Sequence, residues 1–146
     1  MNTKMIISVC LLLASIAVQA TGMLPQGRWE VAQVTIEKNT DGNIQTTVYN
    51  TAADVQSYIP CPKEWEINKK NIVLHYLNGV EESVEYTFEG DRLIILEDSM
   101  LPYWYSINGE NLILTTTTTY IYANNLPTGQ TERIEEKWTI ILKKQK

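Results

Sequence analysis

Histidine and cysteine are scarce in this chain, with one His and two Cys among 146 residues. The sequence also lacks a Cys-x-x-Cys pair, a His-rich cluster and a glycine-rich phosphate loop. Most schemes of metal binding, nucleotide binding and histidine-based catalysis therefore lack their usual residues, and neither a cofactor nor a metal is expected. Basic side chains are in the minority, because 12 Lys and Arg face 17 Asp and Glu and leave a net charge of −5. This balance argues against nucleic acid or an anionic membrane surface as the main partner.

The first 20 residues have the pattern of a secretory signal peptide. Lys4 gives a positive start, residues 5–18 are almost wholly apolar, and a small-residue cleavage site ends at Ala20. The apolar stretch is too short for a stable membrane span. We therefore expect an exported protein, periplasmic or extracellular, with a single domain over residues 21–146 and no transmembrane segment in the mature chain.

Cleavage after Ala20 removes Cys10 and leaves Cys61 as the single cysteine. The exported domain then has no internal disulfide, although its destination is oxidising, and it must be stabilised by a packed core. Cys61 lies between Pro60 and Pro62 in a rigid, non-helical stretch. It is either a reactive thiol that can bridge two chains or a small apolar filler in a loop, and the second interpretation is favoured, with a monomer expected.

Short runs rich in Val, Ile, Thr, Tyr and Trp alternate with turn residues throughout the remaining chain, which predicts strands. Asn78-Gly79 is a strong two-residue hairpin signal. Segment 51–58, in which Thr51 and Asp54 resemble a capping box, forms either one or two helical turns or an irregular loop. The predicted strands are 28–38, 44–50, 63–68, 71–77, 80–89, 92–97, 101–108, 111–123 and 131–143.

A repeated pattern defines the inward face of these strands. Three units, beginning at Trp65, Tyr86 and Tyr105, each contain aromatic-x-apolar, a turn, and apolar-x-apolar. Because alternate side chains of a strand point to the same side, each unit places four residues on one face. A meander of such hairpins buries that face by closing on itself, which also removes both sheet edges. The sequence thus predicts one all-β domain, an antiparallel up-and-down β-barrel of eight or nine strands, with a bulge or bend at Ala32-Gln33 where the first strand changes phase.

Gly27-Arg28-Trp29 opens the first strand as Gly-x-Trp and resembles the motif of the lipocalins, a calycin-type family. The resemblance covers the organisation of the whole chain after the signal peptide, and its motif residues are Gly27 and Trp29. It implies a barrel that binds a small apolar or amphipathic ligand, in which an Arg at the end of the last strand packs over the Trp. Here Lys143 or Lys144 stands in that position, so we expect a lysine to cover a largely buried Trp29.

The inward face becomes aromatic and hydroxyl-rich toward one end of the barrel. Tyr and Thr side chains combine apolar bulk with hydroxyls, which suits an amphipathic ligand and equally suits a filled core whose hydroxyls bind the backbone. Glu136 falls on this face between Ile134 and Trp138, either as a polar anchor in a cavity or as a residue at the barrel mouth that touches water. The candidate residues of the ligand cavity are Tyr86, Tyr103, Tyr105, Thr118, Tyr120, Glu136 and Trp138.

No catalytic set is visible in the sequence, so an enzyme is not expected. His75 is predicted as a partly exposed strand residue, because nothing in the sequence places a nucleophile and a carboxylate beside it. The favoured hypothesis is an exported, non-enzymatic binding protein for a small apolar or amphipathic ligand. The alternative is a protein-interaction or inhibitor module with a filled core, whose contacts come from loops 51–62 and 124–130.

Overall fold

The computed structural model describes residues 24–55, 61–96, 102–123 and 131–146. The predicted signal peptide at 1–20 and the candidate loop 124–130 lie outside the described residues, and so do residues 56–58 of the predicted helical segment. Among the described residues, no helix is both long enough and apolar enough to cross a membrane.

Nine strands and one short helix make up the described part of the chain, and the predicted all-β class is confirmed. Each of the nine predicted strands is present, with ends within two residues of the predicted ones. The elements are β1 Gly27–Thr40, β2 Asn43–Tyr49, α1 Ala52–Val55, β3 Glu64–Ile67, β4 Asn71–His75, β5 Glu81–Glu89, β6 Arg92–Leu96, β7 Pro102–Asn108, β8 Asn111–Ala123 and β9 Thr131–Lys144.

Eight of these strands form a closed, antiparallel, up-and-down barrel, and β2 is an additional strand outside the ring. The ring runs from β1 to β3 and then in chain order to β9, which pairs with β1 again. Closure is possible because β1 is long and pairs on both edges. Its residues 27–30 pair with β3, residues 34–40 pair with β2, and its other edge pairs with β9 along nearly its whole length.

The predicted bulge in β1 is confirmed. The register of β1 against β9 shifts between Val31 and Gln33. One extra residue at this point changes the phase of the strand, so that Val31 and Val34 are both buried, at 5% and 0% exposure, although residues three positions apart in a regular strand point to opposite faces. The bulge keeps the apolar side chains of both halves of β1 in the core.

The helical alternative for the segment after β2 is confirmed over Ala52–Val55. The backbone N–H of Asp54 donates to Thr51 Oγ1 at 3.2 Å, which caps the first turn as the sequence pattern predicts. Ala52 and Val55 are buried, and α1 packs against β1 and β2. The short helix therefore contributes to the same core as the barrel strands.

Candidate ligand site inside the barrel

The two ends of the barrel differ in how far their inward side chains are covered. We call the end with the β3–β4, β5–β6 and β7–β8 turns the closed end. We call the opposite end the open end, because there Tyr103 and Trp138 are half-buried and Tyr120 is 41% exposed. At the closed end the inward side chains are buried; they are Trp29, Ile67, Ile72, Leu112 and Leu142.

Trp29 lies in the closed end with 2% of its surface exposed. Its indole Nε1 donates to the carbonyl oxygen of Pro25 at 3.1 Å. The Nζ of Lys144, its register partner on β9, lies 5.8 Å from the ring centroid. Of the two candidate lysines, Lys144 therefore covers the indole, while Lys143 is exposed on the outer face. Gly27 has a φ of 124°, which a residue with a Cβ rarely adopts, and a Cβ there would lie 3.7 Å from Lys144 Cε.

Strands β8, β9 and β1 carry the open end, and their register arranges inward side chains in rows. Trp104 on β7 pairs with Thr115 on β8, so the next residue, Tyr103, lies beside Thr116. Tyr103 therefore extends the row that contains Thr116, which is the row nearest the closed end. The rows, from the middle of the barrel outward, are Thr116–Trp138–Ile36, Thr118–Glu136–Lys38 and Tyr120–Ile134–Thr40. The structure thus brings five of the seven predicted site residues, all but Tyr86 and Tyr105, to this end.

Glu136 is a buried carboxylate in the middle row, with 6% of its surface exposed. Trp138 Nε1 donates to Glu136 Oε1 at 2.5 Å, so the two predicted site residues form one polar pair. A buried charge requires such partners, and Lys38 is its register neighbour on β1. The open end therefore combines an aromatic wall with a carboxyl hydrogen-bond acceptor.

Tyr86 lies away from this group. Its hydroxyl donates to the β3–β4 turn at the closed end, where the carbonyl oxygens of Asn68 and Lys69 lie at 2.7 Å and 3.1 Å. Its ring packs edge-to-face on Phe88, with centroids 5.8 Å apart. Burial raises the pKa of the Tyr86 phenol above its usual value of 10.0. The hydroxyl of Tyr86 thus holds a turn of the barrel.

Tyr105 and Trp65 face the barrel interior between the two ends. Tyr105 is 9% exposed and packs against Phe88 at 5.6 Å, and Trp65 is 4% exposed beside Trp29 and Leu74. The Tyr105 hydroxyl and the Trp65 indole N–H are both buried, and neither has a hydrogen-bond partner in the part of the chain that the structure describes.

Trp65 was missed as a site residue by sequence reasoning, which placed it on the inward face only as the first aromatic residue of the repeat. The signal available in the sequence is its type, because a buried indole N–H normally finds an acceptor. The neighbours that share its face, such as Leu74 and Ile67, offer none. The position of Trp65 on the inward face of its strand, together with its apolar neighbours, would have identified it.

A second feature missed from the sequence lies on the outer face and contains His75. Its Nδ1 is 3.1 Å from Glu81 Oε1 and its Nε2 is 3.3 Å from Glu66 Oε2. Arg28 forms ion pairs with Glu66 at 3.3 Å and with Glu64 at 3.4 Å. Strand parity alone places Glu64, Glu66 and His75 on one face, so this cluster was readable from the β3–β4 hairpin. It joins four adjacent strands outside the barrel.

Two further observations concern sites away from the interior. A surface cleft of about 240 Å³ lies at the β1–β2 turn and is lined by Asn39, Asp41, Gly42, Arg133 and Glu135. Within the described ranges, no group of three or more His, Cys, Asp or Glu side chains is arranged to hold a metal ion. The cleft is formed by polar side chains and the turn, and it is separate from the row that contains Glu136.

Comparisons with protein-family models, with curated proteins and with solved structures found no match for this chain. The geometry defines a class of architecture, the closed eight-stranded antiparallel β-barrel with one additional strand. This architecture is compatible with a calycin-like fold. Barrels of this size have an interior that is filled by side chains or holds one small ligand.

Proposed function

We propose that the chain is an exported, non-enzymatic, lipocalin-like binding protein whose barrel receives a small amphipathic ligand through its open end. The observation that carries the proposal is the accessible inward aromatic surface of Tyr103, Tyr120 and Trp138 beside the buried carboxylate of Glu136. Aromatic side chains bind the apolar part of a ligand at low entropic cost, and the carboxylate accepts hydrogen bonds from a hydroxyl or amine.

The position of His75 supports binding rather than catalysis. The single histidine of the chain lies on the outer face, where both ring nitrogens are near glutamate oxygens. A histidine base for a nucleophile must be within hydrogen-bond reach of it, and the candidate ligand site is on the other face of the sheet.

Export is part of the proposal and can be tested separately from ligand binding. The charged start, the apolar stretch and the cleavage site that ends at Ala20 direct the chain out of the cytoplasm. Mass spectrometry of the protein purified from its native host should give a mature chain that begins at Thr21. A chain that keeps Met1, or one recovered in the cytoplasmic fraction, would contradict export.

Dye binding tests the ligand site. A neutral apolar fluorophore, N-phenyl-1-naphthylamine, should gain fluorescence on binding and quench tryptophan emission. Trp138→Ala should weaken its binding about tenfold or more, because it removes part of the aromatic wall. Trp104→Ala is the matched control, since Trp104 is 44% exposed on the outer face of β7 and should leave the affinity unchanged. Equal binding by both variants, or binding by neither variant nor the parent, would contradict the proposed site.

Glu136→Gln tests the polar end of the site. The amide keeps the size of the side chain but gives up charge-assisted hydrogen bonds, which are roughly twice as strong as neutral ones. We expect weaker binding of an amine-bearing naphthalene dye, by about threefold to tenfold, and unchanged binding of the apolar dye. The variant should unfold no earlier than the parent, because burying an amide avoids much of the desolvation cost of a carboxylate. A strongly destabilised variant that binds neither dye would indicate a filled core.

A second candidate function is the protein-interaction module, and β2 favours it. This strand lies outside the ring, and its Ile44 and Val48 are 61% and 52% exposed. Edge strands with exposed apolar side chains and no charged residue can pair with another chain. Retention of a bound partner by the parent protein, lost in an Ile44→Lys variant that still binds dye, would favour this function over ligand binding.

A further inference from the structure

Two hydrogen-bond donors inside the barrel have no acceptor that the described chain supplies. They are the hydroxyl of Tyr105 and the indole N–H of Trp65, on residues that are 9% and 4% exposed. Most buried polar groups in folded proteins are hydrogen bonded, and an unmade bond is costly. An unpartnered pair of this kind indicates that something other than these side chains provides the acceptor.

Strand order places the two donors on opposite walls of the same interior. Trp65 belongs to β3 and Tyr105 to β7, which stand four strands apart in the ring of eight. Both side chains are on the inward face, as their buried register partners Leu74 and Leu114 show. In an eight-stranded barrel the side chains of opposite walls meet near the axis. Both donors therefore face the interior space that a small ligand would have to enter.

The chemistry of the two donors defines the kind of ligand group that they bind. An indole N–H only donates, and a phenol next to a second donor serves best as a donor too, so the missing partner is an acceptor. The register neighbours of both residues are apolar, namely Leu74, Leu114 and Trp29. An ionised acceptor would require a buried cation among such side chains, whereas a neutral carbonyl oxygen offers two lone pairs without that cost.

We infer that Tyr105 and Trp65 form an acceptor-binding subsite for a neutral carbonyl, as in a ketone, ester or amide, at the buried end of an amphipathic ligand. The inference rests on the proposed function and deepens it. The ligand would carry a carbonyl toward the interior and a hydroxyl or amine toward Glu136 at the open end, with an apolar body between them. A purely hydrocarbon leading end would leave both donors without partners.

A matched pair of probes tests this subsite on the full chain. The probes are 2-propionyl-6-(dimethylamino)naphthalene and its 2-propyl analogue, which differ by a carbonyl in place of a methylene. The parent should bind the ketone about threefold to tenfold more tightly, after correction for partition of each probe between water and octanol. Tyr105→Phe and Trp65→Phe should each reduce this preference, and the emission of the bound ketone should shift to the blue because it loses a hydrogen bond.

Tyr86→Phe is the matched control, because it also removes a tyrosine hydroxyl but one that already has backbone acceptors in the β3–β4 turn. It should lower the melting temperature and keep the ketone preference. Tyr105→Phe should keep the melting temperature of the parent and lose the ketone preference, since the hydroxyl that it removes has no acceptor in the described chain. A Tyr105→Phe variant that melts below the parent by as much as Tyr86→Phe would overturn the inference.

The remaining outcomes separate the subsite from the proposed function. If both probes bind the parent equally and Tyr105→Phe changes neither affinity, the subsite is overturned while ligand binding stands, and a buried water satisfies the donors. If neither probe binds the parent, the binding function and the subsite are both overturned. A ketone preference that disappears in Tyr105→Phe and persists in Tyr86→Phe supports both.

Discussion

Replacing Trp29 with alanine should lower the free energy of unfolding by about 3–5 kcal/mol, as large aromatic truncations in cores do. Trp29 is 2% exposed, its Nε1 is hydrogen bonded to the Pro25 carbonyl, and Lys144 lies over its ring. The substitution would leave a cavity at the closed end, where the terminal strands β1 and β9 meet. Because a domain is typically stabilised by about 5–15 kcal/mol, the variant should lose a large fraction of its stability.

Urea unfolding followed by circular dichroism measures this effect, and Trp104→Ala is its control. Both variants lose an indole, but Trp104 is 44% exposed on the outer face of β7. An exposed substitution of this kind should change the unfolding free energy by less than about 1 kcal/mol. Equal midpoints for Trp29→Ala and the parent would contradict the assignment of Gly27 and Trp29 as the structural motif of the closed end.

The strands of this barrel were predictable because their signals are local. In β8, Leu112, Leu114 and Thr116 alternate with outward residues and are all buried. The preceding turn contains Gly109 with a φ of 61°, a conformation that glycine adopts without strain. Period-two patterning and turn residues act over a few positions, so each hairpin can be read without knowledge of the rest of the chain.

The role of β2 could not be predicted, because it depends on pairing between distant segments. Ile44 and Val48 alternate with polar residues as in a barrel strand, yet both are exposed and β2 lies outside the ring. The outcome is decided by β1, which pairs with β3 through its first residues and with β2 through its last. No local pattern indicates which neighbouring strand closes the ring. The sequence therefore predicted a barrel of either eight or nine strands.

The sequence predicted which residues of the candidate site share the inward face, but it did not predict the contacts between their side chains. Parity placed Glu136 and Trp138 on the inward face, and the structure shows them hydrogen bonded to each other. Parity also grouped Tyr86 with them, but the register of β5 against β4 brings its hydroxyl to the turn at Asn68. The unpartnered hydroxyl of Tyr105 is a property of the packed interior, since it depends on which acceptors the opposite wall provides.

The thiol of Cys61 should react with iodoacetamide about 100-fold more slowly in the folded chain than in the unfolded chain at neutral pH. Cys61 is free and 5% exposed, and burial raises the pKa of its thiol from 9.0 to about 11. The thiolate is the reactive form, and each unit of pKa lowers its fraction tenfold at neutral pH. We therefore expect the buried thiol to behave as the apolar filler that its position between two prolines favours.

A Cys10→Ser variant leaves one cysteine, so that alkylation in buffer and in concentrated urea can be compared on the same thiol. The unfolded rate should level off above pH 9, whereas the folded rate should continue to rise toward pH 11, because the thiolate forms only there. Stability should fall over the same interval, since the unfolded chain releases the thiol proton before the folded chain does. Equal folded and unfolded rates at neutral pH would instead identify Cys61 as an accessible, reactive thiol that is able to join two chains.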